Sequence, residues 1–284
     1  MAPVAFSDLS KAVKDLLTKD YPVGQAKLEV KTTTSNGVNL TVNGHQDNKT
    51  GHVFGEAKFK YNDFANGFVL TEGITTTNNL TLQAELENKS AKGVKLDLLA
   101  SYLPTTGTKN LKANIYYKHN LAHVRTSADI FKGPLLNLDF VAGQDGIFVG
   151  GETGYDLEKG VVTKTNASLA YFHHDFSAAV HSTDSFGNFA ATYYQRVNPD
   201  IEVGAKASWD SKATVNAVGL EVGTKYFIDR DTFVKAKISN LGKLGLAYTQ
   251  KVRPGIKVAV GGSFDTTKLD EPSHKVGFSL LFEN

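Results

Sequence analysis

The sequence predicts an all-β fold: a closed barrel of about nineteen strands, preceded by one short amphipathic helix. Three observations carry this. From Gln25 onward, apolar and polar residues alternate with period two in segments separated by Gly, Asn, Asp and Pro. The segments are too many and too alike for one open sheet. Only the stretch from Phe6 to Tyr21 carries apolar residues at helical spacing.

In that stretch Leu9, Ala12, Val13, Leu16 and Leu17 fall at i, i+3, i+4, i+7 and i+8, which is one face of a helix. Ser7 is placed to cap it, because its hydroxyl can accept from the free amides of the first turn, and Pro22 stops it. Residues 1–24 are therefore read as a helical segment and 25–284 as strands, all within one domain 1–284, since no linker or low-complexity run divides the chain.

The strands follow in order. Leu28 and Val30 oppose Lys27, Glu29 and Lys31. Leu80, Leu82, Ala84 and Leu86 oppose Thr81, Gln83 and Glu85. Val94, Leu96, Leu98, Ala100 and Tyr102 oppose Lys95, Asp97, Leu99 and Ser101, and Leu111, Ala113, Ile115 and Tyr117 oppose Lys112, Asn114, Tyr116 and Lys118. Val203, Ala205, Ala207 and Trp209 oppose Glu202, Gly204 and Lys206; Val234, Ala236 and Ile238 oppose Phe233, Lys235 and Lys237; Val276, Phe278, Leu280 and Phe282 oppose Lys275, Gly277 and Ser279. Turns are marked by Ser35-Asn36-Gly37, Asn66-Gly67, Lys132-Gly133-Pro134, Asp145-Gly146, Lys159-Gly160, Asn198-Pro199-Asp200 and Arg253-Pro254-Gly255.

Composition narrows the function. Lys plus Arg is 31 against 29 acidic residues, a net charge of +2, which argues against nucleic-acid capture by bulk charge. With no Cys there is no disulfide, zinc–thiolate site or cysteine nucleophile. No phosphate-binding loop, nucleophile elbow or paired-carboxylate motif is present, so no enzyme and no cofactor is expected. The N-terminus lacks a secretory signal, and no apolar run has the length of a membrane helix. A membrane β-barrel escapes that last test.

Strand number decides which face is wet. A closed barrel of roughly sixteen or more strands leaves a water-filled lumen that side chains cannot fill. Its polar, Lys-rich face must then point in and its apolar face out, which is a membrane pore. Segments of about nine to eleven residues suit a tilted membrane strand. Tyr102, Tyr117, Phe131, Tyr155, Tyr171, Phe172, Tyr226, Tyr248 and Phe282 lie near strand ends and are candidates for interfacial belts, or simply good strand formers. The alternative is a soluble β-barrel with its apolar face inward around a hydrophobic ligand.

The run Tyr226-Phe-Ile-Asp-Arg-Asp-Thr-Phe-Val-Lys-Ala-Lys-Ile-Ser-Asn-Leu-Gly-Lys-Leu-Gly-Leu-Ala-Tyr248 resembles the signature of the eukaryotic voltage-dependent anion channel, the mitochondrial porin, although Arg230 stands where a small residue or an acid is usual. Phe6-Ser-Asp-Leu-Ser10, Asp15-Leu-Leu-Thr-Lys-Asp20 and Val252-Arg-Pro-Gly255 are similar to the fungal members. The ending, with Lys275, Gly277, Leu280 and Phe282, is similar to the signal read by the outer-membrane assembly machinery. The resemblance spans the whole chain. It implies nineteen strands with parallel first and last, a number carried over from the family. It implies a helix inside the pore and a location in the mitochondrial outer membrane. It also implies voltage-gated, weakly anion-selective passage of ATP, ADP, phosphate and other small metabolites. Partners implied are the lipid bilayer, nucleotides and small anions in transit, and the import and assembly machinery. A second copy of the chain or kinase-type docking proteins are further partners of that class. A bacterial outer-membrane porin fits less well, because the signal peptide is missing and the chain ends two residues after Phe282.

Selectivity candidates are Asp15 and Lys19 on the helix and Lys58, Lys95, Lys112, Lys235 and Lys237 on the inward face. Lys19 is the better candidate because a pore-lining helix narrows the lumen; its plainer reading is a cation favourably placed at a helix C-terminus. Gly93-Val94-Lys95 occupies the place of the family's nucleotide motif, but a plain lumen-facing Lys95 is the favoured reading. Alternation puts Phe68, Leu70, Glu72 and Ile74 outside, so Glu72 faces lipid unless a bulge at Gly73 turns it in. His119 and His123 straddle a turn, and no metal site is expected there. The helix's apolar stripe needs a patch of wall, for which Leu99, Tyr116 and Phe233 are the inward apolar candidates.

Overall fold

The computed structural model describes residues 2–63, 65–87, 91–131, 133–212, 218–271 and 273–284. Lys132, which opens one of the expected turns, lies outside them. A 3-10 turn, Phe6–Asp8, is followed by α1 (Lys11–Thr18). The strands are β1 (Gln25–Thr33), β2 (Val38–Asp47), β3 (Val53–Asp63), β4 (Phe68–Thr75), β5 (Leu80–Glu87), β6 (Val94–Leu103), β7 (Thr108–Lys118), β8 (Ala122–Asp129), β9 (Leu135–Gln144), β10 (Ile147–Asp156), β11 (Val161–Phe172), β12 (Phe176–Thr183), β13 (Asn188–Asn198), β14 (Ile201–Asp210), β15 (Val218–Phe227), β16 (Thr232–Ser239), β17 (Lys243–Arg253), β18 (Ile256–Asp265) and β19 (Lys275–Glu283).

Neighbours in sequence pair antiparallel all the way round. An odd number of up-and-down strands leaves the first and last running the same way, so the ring closes with β1 parallel to β19 and Leu28 opposite Leu280. No edge remains to be hydrogen-bonded, which is what a sheet in hydrocarbon requires.

The faces are inverted relative to a soluble barrel. Leu98, Ile115, Leu169 and Val180 are each about half exposed on the outside, while Asp97, Asn114, Thr192 and Lys235 are buried on the inside. This overturns the reading as a soluble barrel with an inward apolar pocket, because nearly all the large apolar side chains point outward. Tyr61, Tyr117, Tyr171, Tyr226 and Phe282 ring one rim and Tyr102, Tyr155 and Trp209 the other, where amphipathic rings sit at a membrane interface. Three expected belt residues are elsewhere. Phe172 points inward, edge-on to Phe148 at 5.4 Å, and Phe131 lies in the connection between β8 and β9. Tyr248 faces outward from the middle of β17.

The helix is shorter than its apolar spacing suggests. Ser7 lies inside the 3-10 turn and caps nothing; Ser10 precedes α1, without a side-chain capping bond. Tertiary anchoring overrides the local signal here. Phe6 and Leu9 sink into an apolar hollow formed by Val141, Phe148, Ala170 and Ala179, and the chain breaks at Leu9–Ser10 before α1 starts along a different part of the wall.

Candidate functional site

The 3-10 turn rests on β9 and β10, and α1 on β13, β14 and β15. Leu9, Val13, Leu16 and Leu17 are all at most 3% exposed, so the stripe read from the sequence is the docking face. The wall beneath it is not the expected Leu99, Tyr116 and Phe233, which belong to β6, β7 and β16. Besides the hollow under Leu9, it includes positions where the wall has no side chain. A Cβ on Gly150 would come within 2.8 Å of the Phe6 ring, one on Gly204 within 2.7 Å of Leu16 Cδ2, and one on Gly223 within 2.6 Å of Leu17 Cδ2. All three glycines are lumen-facing in the strand register, and Gly204 lies directly opposite Gly223. The backbone surface left bare by this pair lets an apolar helix approach a wall that is otherwise polar.

The C-terminal end of α1 is held from the wall. Lys235 Nζ donates to the carbonyls of Asp15 at 2.9 Å and Lys19 at 2.8 Å. Asp20 beyond it accepts from Lys257 Nζ at 3.4 Å. The Tyr21 ring lies beneath Lys237 and Lys235, at 5.0 and 5.3 Å. Burial, and then the nearby Glu221 and Asp20 carboxylates, push the Tyr21 hydroxyl well above its ordinary range, so it stays neutral. The chain then crosses Gly277, where a Cβ would meet the Pro22 carbonyl at 2.6 Å, and enters β1.

Charges around the lumen are mostly paired. Lys58 lies 2.9 Å from Glu56, Lys95 3.0 Å from Glu85, and Lys237 3.0 Å from Glu221. Lys27 and Lys31 share Glu29, Lys164 bonds Glu152, and Arg125 lies 3.5 Å from Asp139. Among the described residues, Lys19, Lys206 and Lys225 have no carboxylate within ion-pair distance. In the register Lys112 stands opposite Asp129, Lys206 opposite Glu221 and Lys225 opposite Glu202. Asp15, Lys19 and Lys225 line a hollow of about 290 Å³ between helix and wall, with Tyr194 and Glu202.

The other sequence candidates are dispersed. Glu72 is exposed on the outside, in register with Phe59 and Leu82, and no bulge interrupts β4 at Gly73. It borders an apolar groove of about 820 Å³ with Ile74, Leu82, Tyr102 and Lys109. Gly93 and Lys95 line a basic hollow of about 1020 Å³ with Lys92, Lys118, His119 and His123, while Val94 pairs with Tyr117 on the outer face. Lys275 and Gly277 face the lumen side of β19, Leu280 and Phe282 the outside. Among the described residues no group of His and acids could hold a metal ion.

Residues 2–277 match the family described as Eukaryotic porin. The chain belongs to the eukaryotic porin family. It is 41% identical to the mitochondrial outer membrane protein porin of Neurospora crassa, over the full length of both. With the protein of the same name in Candida albicans it is 41% identical over 99% of each. The voltage-dependent anion-selective channel of Drosophila melanogaster is 34% identical over the full length of both. Among solved structures, a triple mutant of Rhodopseudomonas blastica porin superposes with a TM-score of 0.52 at 11% identity. It covers 86% of this chain and 98% of its own, and that likeness concerns the fold alone. The family consists of channels and not of enzymes.

Sequence reasoning missed Lys225 and the glycine seat. Lys225 sits 4.2 Å from the Phe227 ring centre and 4.3 Å from that of Phe233, held between two aromatic faces that are themselves 5.8 Å apart. Alternation in this porin puts all three on the inward face, and the spacing Lys225, Phe227 was the available signal. The seat was also signalled, by Gly150, Gly204 and Gly223 at inward positions, where a lumen wall gains nothing from glycine unless something lies on it.

Proposed function

We propose that this chain is a voltage-gated, weakly anion-selective diffusion channel of the mitochondrial outer membrane, passing ATP, ADP, phosphate and other small metabolites and ions. The observation that carries the reading is a polar wall inside an apolar barrel, with an amphipathic helix lying on it. Lumen cations with no carboxylate at ion-pair distance, Lys19, Lys206 and Lys225 among them, raise the local anion concentration without binding any one anion tightly. The paired lysines, Lys58, Lys95 and Lys237, contribute less because their carboxylates cancel them at short range.

The N-terminal segment is the gate. Burial of Leu9, Val13, Leu16 and Leu17 favours the docked state, and the entropy of ordering the segment opposes it. Glu72 contacts lipid or a partner, and the outward Leu280 and Phe282 with Lys275 and Gly277 are read by the assembly machinery. Contact with a second copy or with kinase-type proteins falls to the outer surface and rims. The test is reconstitution in a planar bilayer under a KCl gradient. A reversal potential of the sign for modest anion preference supports the reading; none, or cation preference, contradicts it.

A further inference from the structure

Among the described residues Lys235 is the most deeply buried cation, with its side chain 3% exposed although its strand borders a wet pore. A buried ammonium is expensive unless its donors are used. Its donors go to two backbone carbonyls more than two hundred residues away in sequence, those of Asp15 and Lys19. The Asp15 carbonyl, which also accepts from the Lys19 amide at 3.1 Å, lies in the last turn of α1, and Lys19 is the residue that follows the helix, where the helix dipole favours a cation. The Asp20 carboxylate stands at 4.0 Å and the Tyr21 ring completes the enclosure.

We propose that Lys235 is a positioning residue for gating: it latches the C-terminal end of the helix to the wall and, while latched, hides its charge from the pore. A helix of eight residues is not stable alone in water, so a cap supplied by the barrel decides whether its last turn exists. The neighbouring geometry gives the latch a cost when open. Lys235 stands directly opposite Lys225 on β15, a like-charge cross-strand pair, and the helix carbonyls relieve it. Undocking therefore returns one more positive charge to the lumen as it removes the helix from the wall.

The electrical consequence rests on the helix being the gate; the latch itself can be tested without that reading. The chain has no Cys, so V13C is a unique thiol on a face that is 2% exposed when docked. Its labelling by a charged maleimide in reconstituted barrels reports lifting of the helix. Lys235→Met keeps the stem and removes the donors, and Lys235→Gln is a second, shorter neutral variant. Loss of one hydrogen bond to a charged group corresponds to about tenfold or more in the lifted population, and hence in labelling rate. In planar bilayers both variants are expected to close at lower voltage, with a low-voltage reversal potential much nearer to the parent than that of Lys225→Met. Faster labelling with unchanged voltage dependence would leave the latch standing and remove the helix from gating. Unchanged labelling in both variants, or a reversal shift as large as that of Lys225→Met, overturns the proposal.

Discussion

Leu16 occupies the space that a Cβ on Gly204 would need: its Cδ2 lies 2.7 Å from that position. With Gly223 doing the same for Leu17, the wall is shaped as the negative of the helix. Overpacking typically costs about 1–3 kcal/mol. Gly204→Val is therefore expected to lift the helix and not to unfold the barrel. Its voltage for half-closure falls, while the β signal in circular dichroism and the thermal midpoint stay close to the parent. An unfolded barrel, or gating identical to the parent, would show that Leu16 does not bear on Gly204.

Charge pairing should be visible in selectivity. Lys225→Gln removes a cation that has no carboxylate within ion-pair distance and is held in place by Phe227 and Phe233. The reversal potential under a salt gradient should move towards zero. The double change Lys58→Gln with Glu56→Gln removes a pair 2.9 Å apart and leaves net charge unchanged. It should shift the potential by much less. Equal shifts would mean that pairing does not govern which lysines anions sense.

The aromatic buttress of Lys225 makes a separate expectation. Phe227→Ala with Phe233→Ala keeps the charge but frees the side chain, removing contacts of roughly 0.5–2 kcal/mol each. Selectivity should weaken partway towards that of Lys225→Gln, measured the same way. No change would show that the charge acts regardless of where it is held.

Glu72 faces the outside of β4 between Phe59 and Leu82. A charged side chain on the lipid face costs up to about 2–4 kcal/mol at mid-depth, less for an acid, so Glu72→Gln should raise thermal stability in detergent or lipid. A lipid-soluble carbodiimide should modify Glu72 in membranes. Protection from the reagent there would mean that the side chain is not open to lipid.

Strand positions and faces were legible because they depend on neighbours in sequence. Leu80 to Leu86 alternate out and Thr81 to Glu85 in, and the register follows. The docking stripe of Leu9, Val13, Leu16 and Leu17 was legible for the same reason. Where the helix lies was not, because Gly150, Gly204 and Gly223 are brought beneath it only by closure of the ring. The partnership of Lys235 with Asp15 joins residues 220 apart in the chain, which no local pattern encodes. The false start at Ser7 has a related cause: Phe6 and Leu9 answer to the hollow around Phe148 more than to helix propensity.

Removing the residues before Tyr21 and recording single channels in planar bilayers tests the division of labour between barrel and helix most directly. The truncated barrel should still conduct in large steps, because its lumen is formed by the strands, and should fail to close as voltage rises. Voltage-dependent closure matching that of the full chain, or no conductance at all, would contradict a barrel that conducts and a helix that gates.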